Sequence, residues 1–101
     1  MIMPNNKPKF PLGQVVATPG ALDVIEASGQ SPQEFLGRHV RLEQGELSSE
    51  DHALNCDSVK DGSRILSSYK TAKGERIWVI TEAEDDDGQR AATTLLLPEE
   101  Y

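Results

Sequence analysis

The chain is short of sulfur chemistry, of aromatic mass, of positive charge and of long apolar runs, and each shortage excludes something. A single cysteine, Cys56, cannot build an internal disulfide, which suits a reducing compartment. Five aromatic residues and a hydrophobic content of 37% suffice for one sheet layer and one helix layer. Ten basic residues against seventeen acidic ones leave a net charge of −7. That balance disfavours a general nucleic-acid binder, which needs a concentrated positive footprint. No stretch nears the ~18 consecutive apolar residues of a spanning helix. Met1 to Pro11 lacks the apolar run of a signal peptide. The expectation is a soluble cytoplasmic protein without membrane contact.

What is present reads as one α+β domain over residues 12–101, behind a flexible lead over residues 1–11 rich in proline and asparagine. Phe10 is the one residue of that lead able to pin it. Gln14 to Ala17 is a candidate short strand carrying Val15 and Val16. Thr18-Pro19 starts a helix in which Leu22 and Ile25 share a face, and Gly29 stops it. Ser31-Pro32-Gln33-Glu34 predicts a second helix with a capping box from Glu34, and Phe35, Leu36, His39 and Val40 share its apolar face. Ser48 to Asp51 opens a third helix whose main apolar residues are Leu54 and Val59. Its weak amphipathicity predicts a short, exposed or frayed element before Gly62.

The strongest signal is C-terminal. Ile65 to Thr71, Glu75 to Glu82 and Ala91 to Leu97 read as a three-stranded antiparallel β-meander. The expected fold is therefore two to three N-terminal helices packed on this meander. Gly74 suits a bulged hairpin turn, and pairing Thr71 with Glu75 fixes the register. One face then carries Ile65, Ser67, Tyr69, Ile77, Val79 and Thr81, the candidate core. The other carries Arg64, Leu66, Ser68, Lys70, Arg76, Trp78 and Ile80. Five acids between Glu82 and Asp87 keep the last connection solvated, and Pro98 ends the sheet.

Candidate chemistry is sparse. His39 and His52 are the only histidines and hence the groups able to move protons near neutral pH. His39, on the apolar seam of the second helix, is the candidate acid or base. One cysteine and two histidines thirteen positions apart match no structural zinc spacing. The run Glu84 to Asp87 lacks the alternating ligands of a calcium loop. No metal and no cofactor is expected. Ser67, Ser68, Thr93 and Thr94 lie on strands without a nucleophile elbow, and Asp57 beside Cys56 opposes a thiolate. The candidate binding surface is Arg64, Ser68, Lys70, Arg76, Trp78 and Arg90, where cations flank a tryptophan able to stack. Its alternative is a half-solvated outer sheet face.

Three groups of residues carry a resemblance: Phe10 to Leu22, Gly62 to Tyr69 with Ile77 to Ala83, and Thr93 to Tyr101. Across nearly the whole chain from Phe10, the sequence resembles a family of small bacterial plasmid-related proteins carried on plasmids and integrative elements. It departs from that pattern where Glu84 to Gln89 lengthens the loop before Arg90, and by lacking an aromatic residue around Gly45. The resemblance points to a mobile element, and the acidic composition and absence of a catalytic constellation lead to the expectation of a non-enzymatic accessory or interaction protein, with a protein favoured over RNA as its macromolecular partner. A homodimer sealed by Trp78 is a further expectation. The alternative is a small ribonuclease of barnase-like or mRNA-interferase-like shape. In it Arg64, Lys70, Arg76 and Arg90 bind phosphates and His39 acts as acid or base. An acidic DNA mimic that blocks restriction ranks third, because the carboxylates cluster in one loop.

Overall fold

The computed structural model describes residues 8–101; most of the lead, residues 1–7, lies outside the described residues. The elements run β1 (Gln14–Ala17), α1 (Pro19–Ala27), α2 (Pro32–Val40), α3 (Ser49–Asp61), β2 (Ile65–Lys70), β3 (Arg76–Thr81) and β4 (Ala92–Leu96), then a single 3-10 turn (Pro98–Glu100). The protein is α+β, with three helices and a four-stranded sheet of order β1-β4-β3-β2. β2, β3 and β4 are antiparallel neighbours, but β1 joins β4 in parallel, so the sheet is mixed and not a pure meander.

The β2–β3 register is the one the turn implies. Gly74, at φ +86°, takes the left-handed conformation that suits glycine, and the Thr71 N–H reaches the Glu75 carbonyl at 2.8 Å. Tyr69 therefore faces Ile77, Ser67 faces Val79 and Ile65 faces Thr81. Tyr69, Ile77, Val79 and Leu95 from the inner face pack with Ala21, Ile25 and Phe35 from α1 and α2 as one core. Each large buried side chain of this kind contributes roughly 1.5–3 kcal/mol.

Local details depart from the sequence reading. In α1 it is Ala21 that joins Ile25 in the core, and Leu22 is 42% exposed. Ser31 makes no side-chain cap; Glu34 instead accepts from the Gln30 amide at 2.5 Å. Of the readings short, exposed or frayed, the third helix meets exposed: α3 has thirteen residues, begins with a Ser48 cap, ends at a left-handed Gly62 and is mostly exposed. Its buried residue is Asn55, while Leu54 is 61% exposed.

The reason is its position. α3 guards a sheet edge and does not cover a sheet face. The Asn55 side chain donates to the Leu66 carbonyl at 2.7 Å and accepts the Leu66 N–H at 3.2 Å, filling the outward backbone positions of edge strand β2. The Glu46 N–H caps the next outward carbonyl, Ser68, at 2.8 Å. That approach needs glycine beforehand, because a Cβ at Gly45 would overlap the Ser68 carbonyl oxygen and the Tyr69 ring. An edge so occupied cannot template another strand.

Candidate functional site

His39 sits where α2 crosses the inner sheet face, fully buried. Its Nδ1 lies 2.7 Å from Ser67 Oγ and its Nε2 lies 2.8 Å from Thr81 Oγ1. Thr81 Oγ1 lies 2.7 Å from Thr93 Oγ1, and the Thr93 hydroxyl donates to the Leu12 carbonyl at 2.7 Å. A carbonyl only accepts and each hydroxyl has one proton, so the direction is fixed from Leu12 back to the imidazole. Thr93 donates to Leu12, Thr81 donates to Thr93, and the Nε2–H of His39 donates to Thr81. With the imidazole kept neutral by burial, Ser67 donates to Nδ1 and both ring nitrogens are satisfied. Burial pushes the His39 pKa down from 6.5 to about 3, because desolvation disfavours the cation. Phe10 closes the site edge-on, with ring centroids 5.1 Å apart.

The arrangement joins α2 to three strands and to the segment before β1. It gives His39 no path to a substrate. His52 is half-buried and its Nε2 donates to the Leu42 carbonyl at 2.8 Å, tying α3 to the end of α2.

Arg90 also lies apart from the candidate surface. It is buried, and its guanidinium donates to the carbonyls of Ser63 at 2.8 Å, Glu82 at 3.0 Å and Ser58 at 3.0 Å. Glu84 stands 3.9 Å away. The side chain thus joins three backbone segments, the end of α3, the turn after it and the end of β3. Sequence reasoning counted it among phosphate-binding cations; the structure spends its donors on carbonyls.

The other predicted site residues do share the outer face. Lys70 and Arg76 pair across β2 and β3, followed by Ser68 opposite Trp78 and Leu66 opposite Ile80. Arg64, Lys70 and Arg76 are exposed and Trp78 is half-buried, whereas Ser68 is buried and its hydroxyl has no partner. Lys70 reaches Glu46 at 3.7 Å. Among the described residues neither Arg64 nor Arg76 forms an ion pair.

One residue of this face was missed. The chain after β4 folds back so that Tyr101 meets Trp78 edge-on, while the Arg64 guanidinium lies 5.5 Å from the Tyr101 ring centroid and bonds its hydroxyl. Pro98, read only as a strand stop, opens the 3-10 turn that makes this return. A cation, a tryptophan and a tyrosine thus form one cluster on an acidic molecule. Beside it, α3 and the start of β2 enclose a cleft of about 400 Å³ lined by Leu47, Asp51, Leu54, Asn55, Ser58, Arg64 and Leu66.

Among the described residues no group of three or more histidine, cysteine, aspartate or glutamate side chains is placed to hold a metal, and no helix is long and apolar enough to cross a membrane. No family model, curated protein or solved structure matches the chain.

Proposed function

We propose that the chain is a non-enzymatic interaction protein, an accessory protein of a bacterial mobile element acting in the cytoplasm, and that it binds a partner protein through the outer sheet face. The observation that carries this reading is the cluster of Arg64, Trp78 and Tyr101 on one side of the sheet, with Arg64 and Tyr101 exposed, while His39 is sealed on the other. Tryptophan, tyrosine and arginine are the residues that dominate binding energy at protein interfaces. Two arginines that form no ion pair among the described residues favour a partner presenting carboxylates.

The ribonuclease alternative loses support from the same geometry. Its proposed acid or base has no exposure, and Arg90, one of its four phosphate-binding cations, is committed to backbone carbonyls. The cations that remain, Arg64, Lys70 and Arg76, attract anions without supplying proton transfer. The DNA-mimic reading is weaker again, since Asp85 folds its own loop by accepting from the Asp87 and Gln89 N–H groups at 2.9 Å.

The test is affinity capture from the bacterium that carries the gene, with the wild-type chain and the Lys70→Glu/Arg76→Glu double variant as baits. The reading expects a protein retained by the wild type and reduced at least tenfold by the variant. Recovery of no specific partner, or of one indifferent to both reversals, would count against it. Cleavage of added RNA by the purified chain would favour the ribonuclease instead.

A further inference from the structure

The cleft beside the aromatic cluster is bipolar. Asp51, Leu54, Asn55 and Ser58 line it at helical spacings of three, four and seven residues, so they share one face of α3. The chain reverses at Gly62 and β2 returns alongside the helix, as the paired bonds between Asn55 and Leu66 require. One guanidinium, that of Arg90, reaches both the Ser58 and the Ser63 carbonyls. The start of β2, with Arg64, therefore stands at the Ser58 end of the cleft. Asp51 is seven residues back along α3, roughly 10 Å away, at the end nearer Leu47. Leu47, Leu54 and Leu66 supply the apolar lining of the cleft.

Arg64 is held by Tyr101, whose hydroxyl its guanidinium bonds, and Asp51 lies in the first turn of α3. Neither is paired with an opposite side-chain charge: among the described residues Arg64 and Asp51 form no ion pair, although Arg38, Arg41, Lys70 and Arg90 each have a carboxylate within 4.0 Å. Leu54, 61% exposed, stands as an apolar wall that water wets on most of its surface. The helix is weakly amphipathic for packing against the sheet, and its leucine is turned away from the core.

From this charge order and apolar lining we infer that the α3–β2 cleft is a binding site for a short peptide segment of a partner protein. The segment carries one bulky apolar residue, with an acidic residue on one side for Arg64 and a basic residue on the other for Asp51. The acid and the base therefore flank the apolar residue on opposite sides. This rests on the reading of the chain as an interaction protein and names what that partner must offer. The asymmetry of the cleft also sets the polarity of the segment, since a reversed charge order brings like charges together at both ends.

The experiment is selection of a random twelve-residue peptide library displayed on phage against the wild-type chain. Synthetic winners are then titrated against wild type, Leu54→Asp, Arg64→Glu and Lys70→Glu/Arg76→Glu. The cleft predicts an enriched family with the acid–apolar–base pattern, at least tenfold weaker on both Leu54→Asp and Arg64→Glu. Both sites are exposed, and an unchanged urea midpoint confirms that the variants fold. No enriched family, a family lacking that pattern, or winners that bind Leu54→Asp as tightly as wild type would each overturn the inference. Winners indifferent to Leu54→Asp but lost on Lys70→Glu/Arg76→Glu would overturn the cleft alone and leave the interaction reading standing. Patterned winners that depend on Leu54, with no partner captured from cells, would do the reverse.

Discussion

Tyr101 meets Trp78 edge-on, with ring centroids 5.5 Å apart and planes inclined at 65°. The contact is held from outside the sheet. Glu100 accepts the Thr18 hydroxyl at 2.6 Å and the Leu97 N–H at 2.7 Å. Thr18 is also the N-cap of α1, accepting from the Ala21 N–H at 3.1 Å. The Glu100 carboxylate thus rests at the positive end of a helix, and Gly20 leaves space for it, since a Cβ there would lie 2.7 Å from Glu100 Oε2. The return of the chain over the outer face is therefore a fixed part of the fold.

Trp78 is the only tryptophan, so its fluorescence reports on this contact directly. Tyr101→Ala is expected to shift its emission to longer wavelength and to increase acrylamide quenching. An edge-to-face aromatic pair contributes about 1 kcal/mol, which sets the expected loss in urea unfolding. Unchanged emission and quenching would mean that Tyr101 does not shield the indole.

The same contact is expected to loosen in acid. The Thr18 hydroxyl and the Leu97 N–H, in that order, hold the Glu100 carboxyl below its ordinary pKa. A lowered carboxyl pKa stabilises the fold above the unfolded value and loses that effect as pH falls through the folded one. Quenching of Trp78 should therefore rise as pH drops below the ordinary glutamate range. In Glu100→Gln, which has no such proton to bind, that step should vanish; its survival would place the acid response elsewhere.

A second pH effect arises from His39. Unfolded, its imidazole binds a proton near 6.5; folded, it does so only near 3. Between those values the unfolded state holds more protons, so stability is complete above about 6.5 and declines as pH falls toward about 3. The limiting slope is roughly 1.4 kcal/mol per pH unit. Urea unfolding between pH 6.5 and pH 5, where ordinary carboxylates stay ionised, should show this decline in wild type and lose it in His39→Gln. The variant also disturbs the bonds to Ser67 and Thr81 and should cost about 2 kcal/mol at pH 7. A flat wild-type profile would contradict a buried neutral imidazole.

The register was legible because one turn residue, Gly74, and a period of two together decide which side each strand residue faces. Burial of His39 followed from its place on the apolar seam of α2. The edge-capping role of α3 was not legible, because it depends on one amide, Asn55, meeting one peptide group, Leu66, and no periodicity encodes that. The weak pattern of α3 described the helix correctly, but an edge guard needs little apolar surface and so remained a full helix. Tyr101 and Arg90 escaped for a shared reason. Both reach partners far away along the chain, Arg90 to Ser58 and Ser63, and Tyr101 to Arg64 and Trp78.

Arg90 is expected to matter for stability and not for binding. Its two terminal nitrogens serve three carbonyls on separate segments, a spread that a lysine ammonium cannot reproduce. Arg90→Lys should lower stability by roughly 2 kcal/mol, in keeping with hydrogen bonds to charged groups. A destabilisation smaller than that of Arg76→Lys, an exposed cation without an ion pair, would show that the three carbonyls do not depend on it.

Asn55 allows the sharpest local test, because its effect should be confined to one peptide group. Its side chain is the partner of both the Leu66 N–H and the Leu66 carbonyl. In Asn55→Ala the Leu66 amide should exchange with solvent hydrogen at least tenfold faster relative to the ladder amides of β3. The expected loss of stability is about 1–3 kcal/mol, the cost of leaving buried groups unpaired. Asn55→Asp separates the two bonds: its carboxylate still accepts the Leu66 N–H, but has no proton for the carbonyl and repels it. Leu66 exchange should then remain slow while stability falls. If Asn55→Ala left Leu66 as protected as its neighbours, α3 would be shielding the edge by bulk alone, and its thirteen residues would need another explanation.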